Sequence, residues 1–329
     1  MPSYDNMPAM ELYQPVQIQD ALEIASRLAE RGWLVGGGQD TYGWIKDHAK
    51  QPEALIDLNG IESLRGVRET SDGIEIGALT TLTEVVNNPL IRERYALLSK
   101  AASVVASPQI RNAGTLAGNV AQDVRCWYYR RGLTCYRAGG NLCYADTPDA
   151  QNREHAIFNA SRCVAVTPSD TAPALVALEA QMVITSRRGE RVVPAERFFV
   201  GPDVDILNTT VLRDGEILTA VRIPAKWANA EFHHEKVADR NVWDFALVSI
   251  AAVMRIEGGN IVDSRLVCGA VECVPRRLRT VERAIQGQPR NQATADMVAG
   301  LASQGAQPLT HNHFKMPLMD NLVTRLLTA

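Results

Sequence analysis

Six cysteines occur in the chain, and their placement is uneven. Cys126, Cys135, Cys143 and Cys163 fall within 38 residues, whereas Cys268 and Cys273 lie far downstream. Thiols clustered this way, in a chain whose first residues show no export signal, point to a metal site before they point to disulfides. Their gaps of eight, seven and nineteen residues lack the CxxC pairs of structural zinc and the run of a bacterial ferredoxin. Wide gaps still suit a cubane cluster, because loops can deliver four thiolates around it. Arg125, Arg130, Arg131, Arg137 and Arg162 lie nearby and can offset that negative charge and tune a potential. The opposing reading is free thiols in a loop, against which stands the concentration of four of the six cysteines here. Cys268 and Cys273 read as ordinary buried thiols.

Two glycine-rich segments could hold an anionic ligand. LVGGGQDT, residues 34–41, sets Gly36, Gly37 and Gly38 between a strand and a helix. Backbone without side chains can approach a phosphate, whose charge N–H groups then neutralise. The spacing matches neither GxGxxG nor a P-loop, and a tight turn is the alternative. ASPQIRNAGTLAGNVAQD, residues 106–123, repeats the pattern with Gly114 and Gly118, while Thr115 and Asn119 add uncharged hydrogen-bonding groups. It reads as a buried loop against a ligand, or as plain packing. Two such segments suit one long ligand, such as a dinucleotide, lying across both. The histidines form no HxH or HExxH pattern. His233-His234 reads as a strand edge, and His155 as a hydrogen-bonding group near the cysteines. No nucleophile elbow or carboxylate pair stands out, so the chain reads as a holder of cofactors.

The elements that must position these residues follow from apolar periodicity. Residues 17–32 predict a helix ended by Gly32; residues 33–35 and 54–58 predict strands, with a helix over 41–48 between them. Residues 73–79 read as a strand, and 81–107 as helices broken near Pro89. Residues 124–163 show no apolar period and need a staple, which the cysteines could supply. A helix leading into a strand over 171–185, a hairpin through 194 and a strand over 216–224 follow. Phe245–Ile256 and Ile261–Val271 flank Gly258-Gly259 as a hairpin, and two or three helices close the chain. A length of 329 residues allows two or three domains. Lys and Arg total 34 against 37 for Asp and Glu, a net charge of -3 that argues against a broad nucleic-acid-binding face. No apolar run of about 18 residues occurs, so no membrane-spanning helix is expected. MPSYDNMPAMELYQP has neither the basic nor the apolar stretch of an export signal.

Together these segments resemble the FAD-binding medium subunit of the molybdenum hydroxylases, the family of xanthine dehydrogenase, aldehyde oxidoreductase and carbon monoxide dehydrogenase. VGGGQDT is similar to the family's first flavin loop, usually AGGTDL or GGGTNL. SPQIRNAGTLAGN is similar to the second, SPQIRNxATxGGN. PSDTAPALVALEA resembles the segment whose aspartate approaches the flavin ribityl or ribose. GEILTAVRIP and EKVADRNVWDFALVSIAAV resemble its C-terminal landmarks. Gln39 and Ala117 depart from the usual Thr and Gly. Most members pass almost directly from the second loop to the Ser-Asp segment. Here about forty residues intervene and carry the four cysteines, which resembles the subgroup with a 4Fe–4S insertion, typified by bacterial aldehyde oxidoreductase and 4-hydroxybenzoyl-CoA reductase.

The resemblance implies an α+β fold of the vanillyl-alcohol-oxidase, or PCMH, type. An N-terminal α/β subdomain, residues 1–60, and a second subdomain, residues 61–225 with its insertion at about 124–163, would hold FAD between them. Residues 226–329 would pair an antiparallel sheet with helices. Leu34, Val35, Gly36, Gly37, Gly38, Gln39, Asp40, Thr41, Ser107, Gly114, Thr115, Gly118 and Asn119 would hold the FAD pyrophosphate and ribityl chain. Asp170 would take hydroxyl groups, Ile217 and Leu218 would pack on the isoalloxazine, and Lys236 would stabilise negative charge beside it. Cys126, Cys135, Cys143 and Cys163 would ligate a 4Fe–4S cluster, and no catalytic residue is expected in this chain. The implied partners are a large subunit with the molybdopterin cofactor, a small subunit with 2Fe–2S clusters, and an external electron acceptor that FAD would serve. A cytoplasmic location is implied, or a periplasmic one where a partner carries an export signal. The alternatives are a reductase subunit with reversed electron flow, a stand-alone FAD oxidase and a zinc-stapled scaffold.

Overall fold

The computed structural model describes residues 7–329. The segment expected to lack an export signal begins at residue 1, so its residues 1–6 lie outside the described residues. The first unit is a parallel sheet. Strand β1 (Glu11–Tyr13) leads to helix α1 (Ile18–Leu28), then β2 (Gly32–Val35), helix α2 (Thr41–Lys46) and β3 (Ala54–Asp57). The strand order is β1-β3-β2. Ala21, Leu22, Ala25 and Leu28 form the buried face of α1 and pack with Leu58, Ile61 and Ile217. The helix ends at Leu28 rather than at Gly32, because Ala29 turns the backbone with φ 50°. Gly32 begins β2 instead: a Cβ there would stand 2.9 Å from the Leu28 Cβ, so glycine lets strand and helix touch.

The middle of the chain builds a second sheet. Strands β4 (Val67–Thr70) and β5 (Gly73–Gly77) form a hairpin. Helices α3 (Leu82–Asn87), α4 (Pro89–Arg94) and α5 (Ala96–Ser103) follow. Thr81 and Glu84 make a capping box on α3, and Asn88 caps α4 with Pro89 in its first turn. The segment expected as a loop at 107–122 is two short helices, α6 (Pro108–Ala113) and α7 (Leu116–Val120). Ser107 and Thr115 are their N-caps and accept from the Ile110 and Gly118 N–H groups. The insertion adds one short helix, α8 (Trp127–Arg130), and two 3-10 turns. Then come α9 (Ala172–Ala177), β6 (Gln181–Ser186), β7 (Gly189–Pro194), α10 (Ala195–Phe198) and β8 (Ile217–Pro224). The antiparallel sheet runs β4-β5-β8-β6-β7, and Ile76, Leu98, Leu175, Met182, Val221 and Trp227 lie in the core beneath it.

The last unit is a four-stranded antiparallel sheet, β12-β11-β10-β9. It comprises β9 (Glu231–Val237), β10 (Val248–Glu257), β11 (Asn260–Gly269) and β12 (Arg276–Arg277). Gly258 and Gly259, at φ 57° and 84°, supply the two positive-φ positions of the tight β10–β11 turn. Helices α11 (Arg279–Ile285), α12 (Gln292–Met297) and α13 (Lys315–Thr328) cover one face. Among the described residues no helix is long and apolar enough to cross a membrane.

The insertion is anchored by apolar side chains and hydrogen bonds to the last unit. Ile157 and Phe158 are buried in the core of the last unit with Ile250, Leu266 and Leu326. The Ile157 N–H donates to the Val271 carbonyl at 2.9 Å, and the Gln307 N–H donates to the Ile157 carbonyl at 2.7 Å. Asn312 Nδ2 donates to the carbonyls of His155 and Ala156. Ile157 is fully buried, so Ile157→Ala should cost roughly 2–5 kcal/mol. The drop is measured by urea unfolding. An unchanged midpoint would mean that the insertion does not depend on this anchor.

Candidate functional site

The larger cavity has a volume of about 360 Å³. That lies within the roughly 300–1,000 Å³ of most small-ligand sites. The β2–α2 segment forms one wall through Leu34, Gly36, Gly37, Gly38, Gln39, Asp40 and Thr41. Val35 does not line it. Side chains alternate along a strand, and Val35 is buried on the other side with Ile45 and Leu55. A second wall comes from Ile110, Gly114, Thr115, Gly118 and Asn119, and Asp170 joins from the loop before α9. Ser107 stays behind as the α6 cap. Ile217 and Leu218 are buried in the cores and are not on the wall.

The glycines serve two different needs. A Cβ at Gly37 would lie 1.9 Å from the Ala113 carbonyl oxygen, so this glycine lets the two walls meet backbone to backbone. Gly36 instead packs on side chains, its Cβ position lying 3.0 Å from Thr115 Oγ1 and 3.3 Å from the Leu79 side chain. Gly38 has φ 68°, a left-handed conformation that glycine adopts without strain. At Gly118 an added Cβ would meet only Thr115 Oγ1, at 3.0 Å, and otherwise open space. Gly118 also lines the cavity, so there the missing side chain leaves room for a ligand.

Four carboxylates line this cavity, and each has a cation. Asp40 is engaged by Arg125 and, at 2.8 Å, by Arg130; its other oxygen accepts from Trp44 Nε1 at 2.9 Å. Asp123 faces Lys50 at 3.7 Å, and Asp244 faces Arg240 at 3.8 Å. Asp170 is buried and pairs with Lys236 Nζ at 2.7 Å. Burial raises the Asp170 carboxyl to about 6, with Lys236 pulling the other way. Lys236 does not reach the cavity wall. Its ammonium donates to Asp170, to the Val104 carbonyl at 3.0 Å and to the Asp244 carbonyl at 2.7 Å. Asn119 Oδ1 accepts from both Ser169 and Thr171 at 2.6 Å, so its amide NH₂ is the group left for a ligand. The neutralised carboxylates, the open space at Gly118 and this donor fit an uncharged, hydroxyl-rich chain beside a phosphate.

A much smaller space, of about 10 Å³, has Cys126, Cys135, Cys143 and Cys163 together in its lining. Burial pushes the Cys126 thiol up to about 12, against hydrogen bonds from the backbone at Tyr129 and Tyr128 that favour its thiolate. Cys143 is also raised by burial, against backbone hydrogen bonds at Val164 and Ala145. His155 Nε2 lies 3.3 Å from Cys126 Sγ. Burial, with Lys315, lowers His155 to about 4, so it is neutral at ordinary pH. In type the donors, soft sulfur with N–H groups directed at it, are those of iron–sulfur ligands. Among the described residues no three His, Cys, Asp or Glu side chains close on one point that could hold a single metal ion.

The nearby arginines divide differently from the expectation. Arg125 and Arg130 go to Asp40, Arg131 is exposed, and Arg162 donates to the Pro202 carbonyl at 2.9 Å. Arg137 alone donates to thiols, through Nε to Cys163 and Nη2 to Cys273, each at 3.2 Å. Cys268 is an ordinary core thiol, whereas Cys273 belongs to the packing around the small cavity. Sequence reasoning also missed Trp243 and Phe245, which line the large cavity. The VWDF segment was visible as a landmark, but nothing in its period marked a side facing a ligand.

The family described as the FAD binding domain in molybdopterin dehydrogenase matches residues 8–226. The CO dehydrogenase flavoprotein C-terminal domain matches residues 233–329. An aldehyde oxidoreductase FAD-binding subunit from Escherichia coli is 30% identical over 320 residues, 96% of each chain. The carbon monoxide dehydrogenase medium chain of Hydrogenophaga pseudoflava is 26% identical over 327 residues, 98% of this chain and 97% of that one. A solved carbon monoxide dehydrogenase from that organism superposes with a TM-score of 0.78 at 26% identity, over 97% of this chain and 96% of that chain. The expected α+β, PCMH-type fold is therefore the fold observed.

Two glycines separate packing from ligand space. Gly37→Ala should lower the melting temperature by several degrees as the walls are forced apart. Gly118→Ala should leave melting near wild type while bound flavin, read by absorbance, falls. Equal melting temperatures in the two variants would contradict this division. The Asp170 carboxyl provides a pH test. Its folded value lies above the ordinary 3.8, so its stabilisation is full below 3.8 and is lost as pH rises through about 6. In Asp170→Asn that part of the slope in urea midpoint against pH should vanish. Retention of the full slope would assign the titration to another group.

Proposed function

The chain belongs to the family of FAD-binding domains in molybdopterin dehydrogenases, and from that premise we propose that it is the FAD-holding electron-transfer subunit of a molybdenum hydroxylase complex. A large molybdopterin chain would oxidise the substrate, and a small 2Fe–2S chain would connect it to this one. The relatives' names, medium chain and FAD-binding subunit, support a division of this kind. The observation that carries the reading is the large cavity between the β2–α2 segment and the α6–α7 turn, in which Gly118 and Asn119 leave space and a donor.

Bound FAD would supply an acceptor for electron pairs that can pass them to an external oxidant. Around it, Gly36–Thr41 and Gly114–Asn119 would receive the pyrophosphate and ribityl chain. The Asp170 carboxylate, held by Lys236, would accept hydrogen bonds from hydroxyl groups. Trp243 and Phe245 would shield the apolar part, with Arg125 stacked at 4.7 Å on the Phe245 ring.

The four cysteines of the small cavity would hold a 4Fe–4S cluster, which when present supplies a one-electron relay. Their common cavity and the backbone donors at Cys126 and Cys143 support this over a zinc staple, which needs ligands converging on one point. Arg125 lines the large cavity and Cys126 the small one. Consecutive residues stand about 3.8 Å apart at Cα, so this peptide is a short link between the sites.

The purified complex should contain one FAD and about four iron and four sulfide per copy of this chain, beyond those of its partners. Cys163→Ser should lose most of this iron, and Cys268→Ser none. Full iron in Cys163→Ser, or one zinc in place of iron, would overturn the ligand set.

A further inference from the structure

We propose, on the reading of the small cavity as a cluster site, that Arg137 is the positioning residue that sets the cluster's potential, and that Cys273 orients it from outside the ligand set. Arg137 is 4% exposed and lines the cavity. Two of its nitrogens, Nε and Nη2, donate to sulfur, one on Cys163 and one on Cys273. Its Nη1 is buried without a partner among the described residues.

A guanidinium cannot discharge this burial by losing a proton. Isolated buried charge is costly, so an anion must stand near it. No carboxylate among the described residues forms an ion pair with Arg137. Asp123 and Asp205 act on it only through space; Asp123 is shared with Lys50 and the Tyr129 hydroxyl, and Asp205 with Asn208. Sulfur is therefore the group in direct contact with the guanidinium. Thiolate ligands and the net negative charge of a cubane would meet that need.

The charge has a redox consequence. Reduction adds an electron, and a nearby cation or N–H donor to sulfur stabilises the added charge. The potential should accordingly fall when Arg137 is removed. Cys273 lies in the segment between β11 and β12 and does not line the cavity. It holds the second donor of the same guanidinium, so the C-terminal sheet aims a charge at a cluster carried by the insertion.

The test uses the complete complex and reads iron, sulfide and an EPR-monitored redox titration of the cluster. Arg137→Gln should retain iron and shift the midpoint to more negative potential, and Arg137→Lys should restore part of the shift. Cys273→Ala should keep the full complement of iron and shift in the same direction by less. Cys268→Ala should match wild type. An unmoved midpoint in Arg137→Gln at full iron overturns the proposal. If that variant cannot hold iron, Cys273→Ala decides: an unmoved midpoint, or lost iron, overturns it. Absence of the extra iron and sulfide from the wild-type complex sinks the cluster reading itself, a result distinct from an unmoved midpoint.

Discussion

The Asp40 carboxylate joins the two cavities. It occupies the N-cap position of α2 but does not cap that helix. Its oxygens instead accept from Trp44, Arg125 and Arg130. Arg130 in turn lies 4.0 Å over the Trp44 ring, itself fully buried. The glycine segment is thereby fastened to the start of the cysteine insertion, some 85 residues on in the chain. Removing this one anion would leave two partly desolvated guanidiniums without a counter-charge, which is more disruptive than losing a surface ion pair. Because Arg125 adjoins Cys126, the anchor also fixes where the first thiol sits.

Local physics made much of the fold legible. The helix over 18–28 and the strands at 32–35 and 54–57 follow from apolar spacing, and the Gly258-Gly259 turn from its need for two positive φ angles. Strand β1 escaped notice because three residues at a sheet edge carry no readable period. The α6 and α7 helices were taken for loop because each is under two turns long, although their caps, Ser107 and Thr115, were visible. The glycine segments were recognised as places of close approach. Which atoms approach was beyond sequence: at Gly37 the neighbour is the chain's own Ala113 carbonyl, and at Gly118 it is the Thr115 hydroxyl, with open space beyond.

The sites divide along the same line. Residue types marked the four thiols and the two glycine walls, because soft ligands and missing side chains carry their chemistry with them. Partner choice did not show. Arg125, Arg130 and Arg137 are the same residue type within thirteen residues, yet two serve a carboxylate and one serves sulfur. Lys236 turns inward to Asp170 and backbone carbonyls. Such assignments depend on which tertiary neighbour is nearest, and Cys273 lies 136 residues from the arginine it receives.

Lys315 shows why the chemistry of the buried cation matters. It is fully buried like Arg137, and its ammonium donates to the Glu154 and Ala270 carbonyls. Burial lowers it to about 7, despite Glu154. A lysine can thus meet desolvation by giving up its proton, and the neutral amine still has hydrogens for two carbonyls. It requires no anion and marks no site. Arg137 has no such exit: burial pulls it down too, but Cys273 and Cys163 outweigh that and the guanidinium stays charged. The same degree of burial therefore carries different information in the two residues. Around Lys315 it reports ordinary packing of the insertion on the last unit. Around Arg137 it is met by contacts to the sulfurs of Cys163 and Cys273, beside the space lined by the four clustered cysteines.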